Sequence, residues 1–266
     1  MKIVTWNING YRSVTGQNTS KRFDKITKEN KLFAYIDATQ PDLIAMQETK
    51  AEPEQILSEL RCPQGYHAEY NWSKARKGYS GVATFSKQQP KQTLAEIGIE
   101  KFDVEGRILA SVFDNFVHFN VYFPNGTSGD ERVAYKLEFY DALFAFIKRE
   151  FGDLPAIVSG DYNTAHCAID LARPKENEGN SGFLPIEREK FDEILALGYI
   201  DSFRELHSEA NQYTWWSNRG RARENNVGWR LDYHLVDQRL QQEIRDCTIE
   251  ADVLGSDHCP LSLNIF

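Results

Sequence analysis

Six short apolar runs in this chain each lead into a carboxylate, an amide or an imidazole, and that recurrence limits what the chain can become. "KIVTWN" ends at Asn7, "DLIAMQE" at Gln47 and Glu48, and "FVHFNVYFPN" at Tyr122 and Asn125. "AIVSGDYN" ends at Asp161 and Asn163, "GWRLDYH" carries Asp232, and "GSDHCPLSL" sets Asp257 and His258 just ahead of the closing apolar run. Short runs rich in β-branched and aromatic side chains, bounded by Gly, Pro, Asn and Asp, are strand signals. One such end alone is ordinary turn chemistry, because Asn and Asp bond back to their own backbone. Ligands of α/β proteins, however, collect where strands end. The joint pattern therefore reads as one site assembled from the whole length of the chain.

Helical spacing fills the gaps between these runs. "FDKITKENKLFAYIDA" sets Phe23, Ile26, Phe33 and Ile36 on one face. "DERVAYKLEFYDALFAFIKREF" is the longest helical pattern, with Asp130 expected as its N-cap. "LPIEREKFDEILALG" starts at a proline and stops at Gly198, the usual asymmetry of helix ends. "RILASVF" and "FVHFNVYF" are expected to pair as a hairpin around Asp114 and Asn115. Strands that both alternate with helices and pair as hairpins predict an α/β domain with mixed sheets. Nothing repeats at a fixed period and no low-complexity linker divides the chain. One domain over residues 1–266 is expected, with "ARPKENEGNSG" as a surface loop.

Composition excludes several classes. No apolar stretch is long enough for a membrane span, and "MKIVTWNING" lacks the apolar core of a signal peptide. A cytoplasmic protein is expected. Cys62, Cys167, Cys247 and Cys259 show no zinc spacing and are expected as free thiols. A net charge of −8 argues on average against a nucleic-acid partner. Local runs argue otherwise. "RGRARENNVGWR" holds Arg219, Arg221, Arg223 and Arg230, "WSKARKG" adds Lys74, Arg76 and Lys77, and "KRFDKITK" adds Lys21, Arg22, Lys25 and Lys28. A basic face on an acidic protein is expected. The carboxylates and amides at the strand ends are hard oxygen ligands suited to Mg²⁺. With an acidic base and a histidine, they suit hydrolysis of a phosphate ester.

The motifs "WNING", "QETK", "KGYSGVATFS", "VYFPNG", "GDYNTAH", "DSFR", "NVGWRLDY" and "GSDHCP", in that order along essentially the whole chain, resemble the exonuclease III type of apurinic/apyrimidinic endonuclease. That group lies within the endonuclease/exonuclease/phosphatase superfamily. The resemblance implies a four-layer α/β sandwich, two mixed β-sheets flanked by helices. It also implies hydrolysis of the phosphodiester 5′ to an abasic site to leave a 3′-OH, with 3′→5′ exonuclease and 3′-phosphodiesterase activities beside it. The implied cofactor is Mg²⁺, with Mn²⁺ substituting, and the implied partner is double-stranded DNA carrying abasic or 3′-blocked lesions, bound by a monomer.

Roles follow position by position. Glu48 would hold the metal with Asn7, in a neighbourhood that includes Asp161, Asn163, Asp257 and His258. Asp161 would be the base that prepares the attacking water, and Asn163 would orient it or bind phosphate. His258, oriented by Asp232, would contact the scissile phosphate, and Tyr122 and Asn125 would hold phosphate oxygens. Trp215, Trp229 and Leu231 match the lesion pocket, whereas Trp216, the alternate neighbour in a strand, is expected in the core. Arg219 falls where the family places a residue that wedges into the duplex. Arg12, Tyr79, Asn177 and Asn180 match regions that contact the DNA backbone. A non-catalytic module on the same fold should have lost at least one of Glu48, Asp161, Asn163, Asp232 and His258, and all are present. In one departure, Tyr162 stands after the catalytic Asp, where the family often has Phe; the added hydroxyl is either harmless there or in need of a partner.

Overall fold

Alternation along the strands decides how the layers stack. The computed structural model describes residues 1–17 and 28–266. In chain order the strands are β1 (Lys2–Asn7), β2 (Leu43–Gln47), β3 (His67–Asn71), β4 (Val82–Ser86), β5 (Gln92–Leu94), β6 (Ile108–Val112) and β7 (Val117–Tyr122). They continue as β8 (Ala156–Asp161), β9 (Tyr199–Asp201), β10 (Trp215–Trp216), β11 (Gly228–Trp229), β12 (Asp232–Asp237), β13 (Ile244–Ile249) and β14 (Leu261–Ile265). One sheet runs β13-β14-β1-β2-β4-β3, the other β5-β6-β7-β8-β12-β9, and β10 with β11 makes a small ribbon. β1 and β2 pair in parallel, as do β7 and β8, while the remaining pairs are antiparallel, including the expected β6–β7 hairpin. Both sheets are thus mixed.

Successive side chains of a strand point to opposite faces. The outward set of the first sheet, Val4, Trp6, Ile44 and Met46, packs under Leu32, Tyr35 and Ile36 of the helix Lys31–Thr39. The outward set of the second, Val117, Phe119, Val158, Tyr233 and Leu235, packs under Phe139, Leu143, Phe191 and Ile194 of the helices Asp130–Phe151 and Pro185–Ala196. The inward sets meet face to face, and Ile3, Leu43, Ile157, Val236 and Leu263 form one buried cluster. The result is the four-layer sandwich.

The inward layer changes character along its length. Reading β1 by twos gives Ile3, Thr5, Asn7, and β8 gives Ile157, Ser159, Asp161; β12, running the other way, gives Val236, His234, Asp232. The layer is apolar at one end, hydrogen-bonded in the middle and ionisable at the other. Across the middle, Gln47 Nε2 donates to Asn120 Oδ1 at 2.8 Å, and Asn120 Nδ2 donates to Thr84 Oγ1 at 3.0 Å. Ser159 Oγ bonds His118 Nε2 at 2.9 Å and His234 Nδ1 at 2.7 Å. The ionisable end is where both parallel pairs finish, so alternation by itself aims the functional groups at one place.

Burial pushes His118 down to about 3, helped by repulsion from His234, and pushes His234 down to about 4. Both are neutral when folded, whereas an unfolded histidine takes up its proton near pH 6.5. Their stabilisation is therefore complete above about pH 6.5 and is lost as the pH falls from there towards 3–4, at about 1.4 kcal/mol per pH unit for each. His118→Gln, which keeps a group able to reach Ser159, is expected to lose less stability than the parent between pH 7 and pH 5 in urea titrations. Equal losses in the two proteins would contradict this.

Two expectations change at the local level. The helix at Lys31–Thr39 begins only after Asn30, whose Oδ1 accepts from Phe33 N at 3.0 Å, so Lys28–Asn30 are not helical. Phe23 and Ile26, together with Lys21, Arg22 and Lys25, lie outside the described residues. The long helix is entered through Gly129 at φ 107°, which displaces Asp130 from the N-cap into the first turn. There its carboxylate still faces the positive end of the helix dipole. The Tyr162 hydroxyl finds its partner, donating to Val158 O at 3.1 Å. All four cysteines are free, and no helix among the described residues is long and apolar enough to cross a membrane.

Candidate active site

Asp161 stands at the last position of β8, where the chain must pass very close to its neighbour. Gly160, at φ 152°, lies so near β7 that a Cβ there would sit 1.8 Å from Val121 O. Only glycine fits, and the close approach sets Asp161 opposite Tyr122 on one side and Asp232 on the other. Asn163 N donates to Asp161 Oδ1 at 2.8 Å, with Asn163 itself at φ 51°. Asn7, at the end of β1, bridges the two sheets: its Nδ2 donates to Glu48 Oε1 at 2.9 Å and to Asp161 Oδ2 at 2.8 Å. Its amide oxygen accepts from Asn9 N at 3.0 Å.

The last turn closes the site. Trp216 N donates to Asp257 O and Cys259 N to Thr214 O, so the small β10–β11 ribbon pins the SDH segment. His258 Nδ1 bonds Asp232 Oδ2 at 2.8 Å, which fixes the ring and aims Nε2 towards Asp161, 3.9 Å away. Asp257 accepts from Asn9 Nδ2 at 2.8 Å and from the Trp215 indole at 3.2 Å.

Charge crowding tunes these groups. Burial pushes the Asp161 carboxyl up to about 7, and the facing Asp232 and Glu48 carboxylates add to this against the pull of His258. Burial alone would drive the His258 imidazole neutral, but Asp232, Asp161 and Asp257 override it and lift it to about 10. Burial opposes ionisation of Glu48 too, yet Lys50 and Asn7 outweigh it and hold that carboxyl below its usual range. The Tyr122 phenol is kept protonated by burial and by Glu48, which it faces. At neutral pH the site thus presents a carboxylate poised to take a proton, a fixed imidazolium and neutral donors.

A cleft of about 240 Å³ opens over these groups. It is lined by Glu48, Tyr122, Asn125, Asp161, Asn163, Asn180, Trp215, Trp229, Leu231, Asp257 and His258, and Asn7 and Asp232 lie buried behind it. Trp215 and Trp229 meet edge to face, ring centres 6.5 Å apart, and Phe183 backs Trp229. Trp216 is buried on the other side, as alternation predicts. Arg12, Tyr79, Asn177 and Arg219 are not among the lining residues. Tyr79 is held by guanidinium groups of Arg107 and Arg132, at 2.7 and 2.9 Å. Asn177 Oδ1 receives Asn180 Nδ2 at 2.8 Å.

Two of the four arginines of this segment are structural, which corrects the expectation of four arginines on a DNA face. Arg230 is fully buried and pairs with Asp170 at 2.8 Å and Asp201 at 2.7 Å. Arg223 stacks on Trp216 and caps the carbonyls of Ala251, Val253 and Ser256, bracing the SDH segment from behind. Arg221 and Arg219 are both exposed, Arg221 in a surface pair with Glu224.

Several residues of the site escaped the sequence reading. Lys50 completes the floor beside Asn9, which the strand-end pattern does mark, and Thr127, Ser181 and Gly182 complete the cleft wall. Lys136, fully buried, donates to Asn163 O at 2.7 Å and pairs with Glu187 at 2.7 Å, while Glu187 also accepts from Ser181 and from the backbone N of Gly182 and Leu184. That pair ties the catalytic loop to the cleft wall. The signal was a charged residue on the apolar stripe Val133, Lys136, Phe139, Tyr140, Leu143.

Fold and site together define a hydrolase of phosphate esters built on a four-layer α/β sandwich. The chain belongs to the Endonuclease/Exonuclease/phosphatase family, which it matches over residues 4–258. It is 41% identical to an exodeoxyribonuclease of Bacillus subtilis over 266 residues, covering 100% of this chain and 99% of that protein. It is 38% identical to a DNA-(apurinic or apyrimidinic site) endonuclease of Dictyostelium discoideum, covering 99% of this chain and 70% of that one. The solved structure of an AP endonuclease from Archaeoglobus fulgidus superposes with a TM-score of 0.86 at 26% identity, covering 100% of this chain and 99% of that one.

Proposed function

We propose that this protein cleaves the phosphodiester 5′ to an abasic site in duplex DNA, and that the same site removes nucleotides or blocking groups from 3′ ends. One observation carries the reading: two half-buried tryptophans and Leu231 wall a cleft directly beside the Asp161–His258–Asp232 set. An abasic sugar has lost its pairing partner and is extruded at low cost. Apolar walls favour it over a nucleotide that still carries a polar base.

In the proposed reaction Asp161 removes a proton from a water molecule, whose oxygen attacks phosphorus. The bond from phosphorus to the 3′-oxygen breaks, that oxygen takes a proton from solvent water to leave as a 3′-OH, and Asp161 gives its proton back to solvent. His258, charged at neutral pH, offsets the growing charge on a phosphate oxygen. Asn163, Asn125 and the Tyr122 phenol supply neutral donors to the others. Arg12, Tyr79, Asn177 and Asn180 serve the flanking DNA backbone, and Arg219 the duplex beside the lesion.

The donor set fits a hard divalent cation. The carboxylates of Glu48, Asp161, Asp232 and Asp257 outnumber the cations facing them, Lys50 and His258, and Asp161 is raised first by burial and then by its carboxylate neighbours. Glu48 and Asp257 would hold Mg²⁺, with Asn7, Asp161, Asn163 and His258 around it, and Mn²⁺ would substitute. Such an ion would neutralise phosphate and leaving-group charge. The test is incision of a duplex bearing one tetrahydrofuran abasic analogue. EDTA should abolish cleavage, Mg²⁺ should restore it, and an undamaged duplex should be spared. Full activity after rigorous chelation would sink the metal assignment, and equal cutting of undamaged duplex would sink the lesion assignment.

A further inference from the structure

Glu48 and Lys50 hold an unusual backbone. Glu48 has φ 54° and Lys50 φ 50°, both left-handed and neither glycine. Such strain persists only where the surroundings over-determine it. Here Thr49 N donates to Gly81 O at 3.0 Å, Lys50 N to Ser80 O at 2.9 Å, and Tyr11 N to Thr49 O at 2.8 Å. A Cβ at Gly81, itself at φ 89°, would lie 2.3 Å from Thr49 Oγ1, so this crossing is tightly closed. The bend turns Lys50 back onto its neighbour but one. Its ammonium sits 2.6 Å from Glu48 Oε2 and 2.5 Å from Asn9 Oδ1, while its side chain is 35% exposed.

A lysine ammonium and a divalent cation are rivals for one carboxylate oxygen. Lysine is also a point charge on a flexible four-carbon stem, able to exchange partners without moving the backbone. A DNA phosphate at the cleft mouth is the anion that would receive it.

Building on the metal and DNA assignments above, we propose that Lys50 is a built-in counter-ion for Glu48, displaced when metal binds and drawn off by DNA phosphate, so that metal and DNA bind cooperatively. Lys50 is then a positioning residue acting through Glu48, and its removal should make the metal bind better in the absence of DNA.

The test is Mn²⁺ affinity, read from the electron paramagnetic resonance of free Mn²⁺, for the parent, Lys50→Met and Lys50→Arg. Each is measured alone and with a cleavage-resistant duplex carrying an abasic analogue flanked by phosphorothioates. DNA should raise the parent's affinity at least about fivefold, the lower range of ordinary site coupling. Lys50→Met should gain a similar factor without DNA and respond little to DNA, while Lys50→Arg should behave as the parent. A Lys50→Met affinity equal to or weaker than the parent's, with both proteins folded by circular dichroism, would overturn the proposal. Absence of Mn²⁺ binding to the parent, with and without DNA, would overturn the metal assignment itself and this inference with it.

Discussion

Asp161→Asn is expected to slow single-turnover incision of an abasic duplex at least ~10²-fold, the scale set by loss of a general base, while affinity for that duplex holds or rises. The amide is nearly the same size as the carboxylate and can still accept from Asn163 N or Asn7 Nδ2, the two shorter hydrogen bonds that orient Asp161 now. It cannot take a proton from water. It also removes a negative charge from a buried floor that already holds Glu48 and Asp232, so a phosphate should approach more easily. Rate and affinity are separable by quenched-flow incision and by equilibrium binding in EDTA. If turnover and binding fall together by similar factors, Asp161 is holding the site's shape and the base must be sought elsewhere.

Replacing Arg230 with Met should cost about 3–5 kcal/mol of folding stability, because it takes the shared guanidinium away from two buried carboxylates. Asp170 would keep Arg204, whose Nε bonds it at 2.9 Å, and the Cys167 backbone N, while Asp201 would lose both guanidinium contacts and keep only the backbone N of Phe203 and Arg204. For a chain of this size the melting temperature should drop by on the order of 10 °C. A DNA-contacting arginine would behave differently: its loss would leave melting almost unchanged and flatten the salt dependence of DNA affinity. Thermal melts with and without duplex, over a salt series, distinguish the two. Unchanged melting with a shallower salt slope would return Arg230 to the DNA face.

The strand ends were legible because their causes are local. Two-residue alternation and the turn residues around each run mark where a strand begins or stops: Asn7, Glu48 and Asp161 stand where β1, β2 and β8 stop, whereas Asp232 opens β12 and His258 lies just ahead of β14. The family's motifs, read in order, then attached a chemistry to them. Helix starts were less legible: Asn30 starts its helix several residues later than the apolar spacing suggests, and Gly129 takes the cap position from Asp130, the better capping residue.

The sequence by itself determined that this chain alternates strand and helix, that its polar strand ends converge, and what reaction such a set of groups performs. Only the tertiary structure decided which charges act and which support. Arg219, Arg221, Arg223 and Arg230 are nearly equivalent in a local run, yet Arg230 finds Asp170 60 positions away and Asp201 29 positions away, and disappears into the core. Lys136 is likewise one more helix lysine until Glu187, 51 positions on, and the Asn163 carbonyl close around it. The reason is physical. An apolar side chain is driven out of water whatever its neighbours, so its burial is written in the pattern. A charge is buried only if a partner meets it, and that partner is brought by the fold.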